Sequence, residues 1–365
     1  MKIKVGVIYG GKSVEHEISV ISAVQAMNFM DEEKYDIVPI YITKNLEMYT
    51  GGMLKDIDSY RDLSLIKKYA KKINLVNKKG RFVLQKTSWF KREINEIDIA
   101  LPIVHGQGTE DGTIQGLLEL LNVKYVGCKV LASAVSMDKV YTKILFEKAN
   151  IPQANYIYIK AFNNIYTVVD NQLNEQELNL DEVSSMVEKQ LGYPAYVKPS
   201  NSGSSVGISK AKNSDELKTA IKEAVKYDKK ILIEEEIKGK EIECAILKNE
   251  KVEASTVGEI LSADEFYSFD SKYKNKDSKT VIPANISKME IEEIRKLAIK
   301  AFNAVDGSGL ARVDFFIKEA DNKIYINEIN TMPGFTQISM YPKLWEQCGI
   351  KYSDLLDKLI DSAKK

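Results

Sequence analysis

Histidine and cysteine are scarce in this chain, and their scarcity excludes several kinds of chemistry at once. The 365 residues hold two histidines, His16 and His105, and three cysteines, Cys128, Cys244 and Cys348. Two widely separated histidines exclude a histidine-rich metal centre. Three scattered thiols lack metal-ligand spacing, which points to a reducing compartment. An excess of charge is missing too, because 52 Lys+Arg balance 52 Asp+Glu. Nothing in that balance attracts nucleic acid or a membrane surface. The opening MKIKVGVIYGGKS has too short an apolar run for a signal peptide, and no stretch could span a bilayer, so a cytoplasmic location is expected. What is present is a hydrophobic content of 44%, as in soluble globular proteins, in a chain too long for one ordinary core. Two or three domains are therefore expected.

The most informative stretch is 311–335, ARVDFFIKEADNKIYINEINTMPGF. Two apolar runs, Ala311–Ile317 and Lys323–Ile329, flank a polar turn and predict a β-hairpin. Strand alternation puts Arg312, Asp314 and Phe316 on one face, and Ile324, Ile326, Glu328 and Asn330 together on one face of the partner. A simple hairpin centred on Asp321 sets Asp314 opposite Glu328 and Arg312 opposite Asn330. Directly opposed residues lie about 5 Å apart, where like charges destabilise the pair. A divalent cation gives two facing carboxylates a reason, since Mg²⁺ takes hard oxygen ligands and substrate phosphates. A solvent-facing hairpin with screened charges is the bland alternative.

Upstream, a strand over Lys2–Tyr9, a Gly10-Gly11 turn, a helix from Ser13 to Met30 and a strand over Tyr35–Thr43 begin a parallel α/β layer. Residues 6–13, GVIYGGKS, satisfy the Walker A pattern, but Gly6 falls inside the strand, so most intervening positions are not a phosphate loop. Lysine pairs at 67–68, 71–72 and 78–79 read as a solvated face, and 73–84 as a surface hairpin. A buried strand over Ile97–Val104 delivers His105, Glu110 and Asp111 among glycines ahead of a helix over Thr113–Leu121, where α/β proteins place ligands. A capping acid is the plain reading of Asp111.

A helix over Met137–Ala149, capped by Ser136 and stopped at Asn150, carries Lys139 in its first turn. A cation there opposes the helix dipole, so either an anion binds beside it or it is an ordinary surface lysine. A short strand ending at Lys198 leads into the flexible PSNSGSSVG loop, rich in backbone donors for phosphate oxygens. A helix follows over Asn213–Tyr227 with Asn213 and Glu216 at capping-box spacing, then a strand that runs into Glu234-Glu235-Glu236 and on to Glu241. Such acids can meet an adenine amine and a ribose, although alone they are more often solvated. The polar stretch 265–279, with Lys272 and Tyr273, has the length of a lid. A Ser287/Glu290 capping box opens a helix that ends at Gly307 and is expected beside the hairpin, and Ser353–Ala363 forms the last helix.

Taken together these segments resemble the D-alanine–D-alanine ligases of the ATP-grasp superfamily. The resemblance is carried by GGKSVEHEIS at 10–19, HGQGTEDGTIQG at 105–116, SMDK at 136–139, VKPSNSGSSVG at 197–207, EFYSFDSKY at 265–273 and ARVDFF…INEINTMPGFT up to 336, in the family's order. It implies an α/β chain of the α+β ATP-grasp type: an N-terminal parallel α/β domain, 1–127, and two ATP-grasp subdomains, 128–233 and 234–365, that clamp ATP, with a lid loop at 261–282. It implies a ligase that forms D-alanyl-D-alanine for peptidoglycan through a D-alanyl phosphate, with ATP, two Mg²⁺ (or Mn²⁺), D-alanine and a homodimer. Asp314, Glu328 and Asn330 would hold the metals. Arg312 and the Gly334 N–H would stabilise the oxyanion. Lys139 and Lys198 would hold α- and β-phosphates, with Lys272 on the γ-phosphate. Glu234 and Glu241 would take adenine and ribose, and Ser204, Ser205, Glu235, Ile237, Phe266 and Asn327 would complete the nucleotide site. Glu15 would bind the first D-alanine's ammonium and form a triad with Ser204 and Tyr273, with His105 nearby. Ser339 and Met340 would meet the second substrate.

Two departures stand out. Thr109 replaces a glycine usual in the family's HGxxGEDG signature, which is expected to alter that loop, because only glycine takes positive φ freely. Gln337-Ile338-Ser339 replaces a common SHS. D-serine or D-lactate as acceptor is the alternative reading, although Tyr273 resembles the dipeptide-forming members. A P-loop regulator using Lys12 is a more distant one.

Overall fold

In the computed structural model of the chain the described residues are 2–106, 108–170, 172–261 and 279–364. Phe266, Lys272 and Tyr273 lie outside them.

The first sheet contains β1 (Ile3–Gly10), β2 (Tyr35–Ile42), β3 (Met48–Thr50), β4 (Lys71–Lys78), β5 (Arg81–Lys86), β6 (Glu93–Ile97), β7 (Ile99–Ile103) and β8 (Lys124–Tyr125). Their order is β6-β5-β4-β3-β2-β1-β7-β8. The expected parallel layer is one half of it, β2-β1-β7-β8, with β8 at the edge. An antiparallel meander, β3 to β6, extends it, so the sheet is mixed. Helix α1 (His16–Phe29) connects β1 to β2. Gly6 sits in mid-strand, where a Cβ would collide with Ile97, so packing rather than a phosphate requires glycine there. Lys12 is exposed.

The second sheet holds β9 (Tyr156–Phe162), β10 (Ile165–Val169), β11 (Glu175–Leu178), β12 (Ala195–Pro199), β13 (Ser209–Ala211) and β14 (Lys230–Glu235), ordered β11-β10-β9-β14-β12-β13. The third holds β15 (Gly239–Lys248), β16 (Val252–Leu261), β17 (Lys279–Val281), β18 (Gly309–Lys318) and β19 (Ile324–Asn330), ordered β17-β16-β15-β18-β19. A helix over Lys288–Ala304 has the predicted Ser287/Glu290 capping box. Its Ile294, Ala298 and Phe302 share one core with Val313 and Ile326 of the hairpin, as expected. The chain leaves this helix through Asp306, at φ 57, and not through Gly307, whose N–H bonds the Phe302 carbonyl at 2.8 Å.

The helix expected from Met137 starts at Lys139 and runs to Lys148. Its cap is Asp138, whose carboxylate accepts from the Tyr141 N–H at 3.2 Å. Ser136 belongs instead to the last turn of the preceding helix, Val130–Met137. Asn150 ends the segment with φ 52, as expected. The Asn213 side chain caps the helix Ser214–Ala224, but Glu216 reaches back to the Lys212 N–H at 2.8 Å, one residue earlier than a capping box requires. The last two helices, Met340–Gln347 and Tyr352–Ser362, bury Leu344, Leu355 and Leu359 against Val5 and Leu101 of the first sheet, so both ends of the chain share a core. Among the described residues no helix is long and apolar enough to cross a membrane.

Candidate active site

The hairpin pairs Arg312 with Asn330, Val313 with Ile329 and Asp314 with Glu328, the expected register. Beyond Asp314 the register shifts, and Phe315 pairs with Ile326. The extra residue, Asn327, makes a β-bulge. Ile326 and Ile329, 1% and 3% exposed, both belong to the core behind the sheet, an odd spacing that regular alternation cannot serve. The bulge solves this by turning Ile326 into the core with Ile329, so Ile326 does not share a face with Glu328 as simple alternation predicts.

On the same face the Arg312 guanidinium binds Asp314 through Nε–H to Oδ1 and Nη2–H to Oδ2, both at 2.7 Å. Asn330 Nδ2 also donates to Asp314 Oδ2, at 3.0 Å. Glu243, opposite Asp314 on β15, brings Oε2 within 3.1 Å of Arg312 Nε. Burial opposes the Arg312 charge, but Asp314 and Glu243 outweigh it and hold the guanidinium protonated. The row Glu243, Asp314, Glu328 therefore crosses three adjacent strands with a cation set into it. No group of three or more His, Cys, Asp or Glu side chains forms a metal cluster among the described residues. Mg²⁺ does not need one, since one or two carboxylates with phosphate and water complete its shell, and Asp314, Glu328 and Asn330 offer that oxygen set.

The opposite wall is basic. Lys139 Nζ–H donates to the Ser202 carbonyl at 2.5 Å, tying its helix to the expected flap. Asp138 anchors the base of that flap by accepting from Ser200 Oγ at 2.7 Å, Asn201 Nδ2 at 3.2 Å and Lys230 Nζ. Ser204 and Ser205 both take left-handed φ, 51° and 60°. Tyr196 on β12 faces Glu234 on β14, which makes Lys198 a diagonal neighbour of Glu234. Lys198 Nζ lies 2.5 Å from Glu234 Oε2, and Lys143 Nζ lies 2.6 Å from Oε1. Burial would raise the Glu234 carboxyl, yet the two ammonium groups draw it down to about 2. The carboxylate expected at adenine is thus engaged by two lysines.

The third wall comes from the first sheet. His105 is buried, with Nδ1 3.1 Å from the Met332 carbonyl and Nε2 2.9 Å from Ser22 Oγ. The carbonyl can only accept, so Nδ1–H donates and Nε2 accepts from Ser22. Burial pushes the His105 pKa down, which fits a neutral ring. Glu110 accepts from the Gly106 N–H at 2.7 Å, and burial together with the nearby Glu15 charge pushes it up to about 8. Gly106 has φ +72, and a Cβ there would stand 2.8 Å from Glu15 Oε2, so glycine is required on both counts. Asp111 accepts from the N–H groups of Gly108 and Thr113, both at 2.9 Å, the capping role. The Thr109 departure does not strain the loop, because positive φ falls on Gly106, Gly108 and Gly112. Thr109 Oγ1 is buried without a hydrogen-bond partner among the described residues.

At the fourth side Ser339 stands at the N-terminus of its helix without a side-chain capping bond, its Oγ turned back to Thr336, 2.7 Å from Oγ1 and 3.1 Å from the N–H it accepts from. Gly334 lies close behind it, and the substituted Ile338 is exposed at the cleft.

One cleft of about 930 Å³ gathers these walls. Glu15, His105, Lys139, Lys198, Ser204, Ser205, Glu234, Glu235, Ile237 and Glu241 line it, with Arg312, Asp314, Asn327, Glu328, Asn330, Gly334, Ser339 and Met340. Lys12 does not. Sequence reasoning missed Lys143, Asp138 and Glu243. For Lys143 a signal existed: it follows Lys139 by four residues, and like charges at that spacing on a helix call for nearby anions.

Two family models match the chain, the D-ala D-ala ligase N-terminus over residues 4–128 and the D-ala D-ala ligase C-terminus over 145–361. A D-alanine–D-alanine ligase of Acetivibrio thermocellus is 47% identical over 373 residues, covering 99% of this chain and 96% of that protein. The D-alanine–D-alanine ligase structure from Coxiella burnetii superposes with a TM-score of 0.85 at 35% identity, covering 99% of this chain and 94% of that one. The VanG D-Ala:D-Ser ligase of Enterococcus faecalis gives 0.84 at 32% identity, covering 100% of both chains.

Proposed function

The chain belongs to the D-alanine–D-alanine ligase family, and we propose that its cleft joins two D-alanines into the peptidoglycan precursor D-alanyl-D-alanine, with cleavage of ATP to ADP and phosphate. The observation that carries this reading is Arg312, Asp314, Glu328 and Asn330 on one hairpin, lining a cleft shared with Lys139 and Lys198.

The nucleotide is assigned to the space between the units 128–233 and 234–365, with unit 1–127 supplying Glu15 and His105. Lys139 and Lys198 steady its phosphates, and Glu241 its ribose. Glu15 receives the ammonium of the first D-alanine. A carboxylate oxygen of that D-alanine attacks the γ-phosphorus, ADP leaves, and an acyl phosphate results. The deprotonated amine of the second D-alanine, its carboxylate held by Ser339, then attacks the acyl carbon. Negative charge collects on the former carbonyl oxygen, where Arg312 and the Gly334 N–H would serve as donors, a preorganised electrostatic stabilisation. Collapse of the tetrahedral species expels phosphate, which carries off the proton that the nitrogen sheds in becoming an amide. Divalent cations, Mg²⁺ or Mn²⁺, on Asp314, Glu328 and Asn330 would neutralise charge on the triphosphate during transfer. A homodimer is part of the same proposal, and sedimentation measures it.

Purified protein given ATP, Mg²⁺ and D-alanine should release phosphate and a product with the dipeptide's mass. No release with any D-amino acid overturns the proposal. The likeness to a D-Ala:D-Ser ligase favours D-serine as the second reading of the acceptor. Competition among D-alanine, D-serine and D-lactate across pH, read by product mass, separates them.

A further inference from the structure

Lys143 is a buried cation that the reaction scheme leaves unused. It sits one turn beyond Lys139 on the same helix and is 3% exposed. Its Nζ lies 2.6 Å from Glu234 Oε1 and 3.4 Å from the Ala154 carbonyl, with the Tyr156 ring centroid at 5.2 Å. Glu234, also buried, gives its other oxygen to Lys198. One carboxylate thus holds two ammonium groups out of water. A buried ion is costly unless paired, and removing one member of a buried pair strands the other.

The asymmetry lies in what else each lysine can reach. Lys198 lines the large cleft, whereas Lys143 does not and borders only a small cavity beside it, with Leu232 and Glu234 and with Lys139, Lys198 and Glu328, which line both. If Lys198 were the only partner of Glu234, its turn toward a phosphate would leave a bare carboxylate beside an anionic ligand. With Lys143 in place the remaining pair is neutral.

We propose that Lys143 is a positioning residue for the nucleotide: it keeps Glu234 paired and thereby frees Lys198 to bind phosphate. This rests on the ligase reading above. Burial pulls the Lys143 pKa down, and the facing Glu234 works against that pull and favours the charged form. Among the other charges near it, Lys198 opposes protonation and Glu235 favours it, and Lys139 and Glu328 border the same small cavity.

The test measures ADP–Mg²⁺ affinity by calorimetry and separate KM and kcat values for Lys143→Met, Lys143→Arg, Glu234→Gln and the Lys143→Met/Glu234→Gln double variant, with melting curves for each. Lys143→Met should weaken ADP binding and raise KM for ATP about tenfold, the size of one charged hydrogen bond, with KM for D-alanine unchanged. Lys143→Arg should stay within about threefold of the parent, since it restores the charge. In the double variant the neutral amide in place of the Glu234 carboxylate no longer retains Lys198, so its affinity should equal that of Glu234→Gln alone, the signature of one shared interaction. Parent-like binding by Lys143→Met, or losses that multiply in the double variant, overturns the proposal. Should Lys143→Met not fold, the double variant against Glu234→Gln decides by the same criterion. Failure of the parent protein itself to bind ADP–Mg²⁺ would instead overturn the ligase reading.

Discussion

Arg312 closes on Asp314 with two parallel hydrogen bonds of 2.7 Å, one to each carboxylate oxygen. Such a forked pair fixes direction as well as distance. It also eases the repulsion between Asp314 and the facing Glu328 before any cation arrives, so the hairpin needs no metal to hold its shape. A cation that binds Asp314 must share the carboxylate with Arg312, and this would couple the metal position to the guanidinium proposed for the reacting carbonyl.

Glu328→Gln separates charge from shape. The amide keeps the size and one acceptor oxygen but loses the negative charge that the proposed cation site would use. Turnover should fall by roughly 10²-fold or more, because charge stabilisation by the metal is worth several kcal/mol. Melting temperature should change little. Phosphate release followed through a Mg²⁺ titration measures the effect, and an unchanged rate rejects the metal assignment.

Glu243 faces Arg312 Nε at 3.1 Å from the side away from Glu328 in the strand order. It gives the guanidinium a second anchor when Asp314 is shared with a cation. Glu243→Gln should lower kcat about tenfold, the loss of one close ion pair, with KM for ATP held. A rise in KM for ATP at constant kcat would place Glu243 on the nucleotide instead.

Much of this site was legible in the sequence, and the illegible parts share a cause. Arg312, Asp314, Glu328 and Asn330 could be paired because a short hairpin is a local object whose register follows from its turn. Asn327 broke that register only past the functional pairs, since the bulge answers to a core behind the sheet that one strand does not announce. The meander from Met48 to Ile97 was largely hidden because its β3 is three residues long and its lysines mask the alternation. Lys143 escaped because its acid lies on a strand that begins more than eighty residues later. Asp138 was overlooked as a cap because Ser136 competed for the role in the same window.

Lys12 and Lys198 give opposite expectations for the two nucleotide readings. Gly6 is a packing residue and Lys12 an exposed one, so Lys12→Ala should leave ADP–Mg²⁺ affinity unchanged. Lys198→Ala should weaken it by about tenfold or more, and it also leaves Glu234 with Lys143 alone. Calorimetry on both variants checks this. The reverse pattern would restore the phosphate-loop reading of residues 6–13.

Two buried glutamates set opposite slopes in the pH dependence of stability. Glu234 is drawn from 4.5 down to about 2, so its contribution is present above roughly pH 4.5 and is lost as the pH falls through the depressed value. Glu110 is pushed up from 4.5 to about 8 by burial and by Glu15, so between these values the native state binds more protons than the unfolded chain. Stability must therefore fall as pH rises through that window. Glu110→Gln keeps an oxygen for the Gly106 N–H, 2.7 Å away, and removes the titration. The variant should melt higher than the parent at pH 8 and no higher at pH 5, flattening the alkaline slope. Melting curves that run parallel for parent and variant from pH 5 to 8 would show that Glu110 is not the group that titrates.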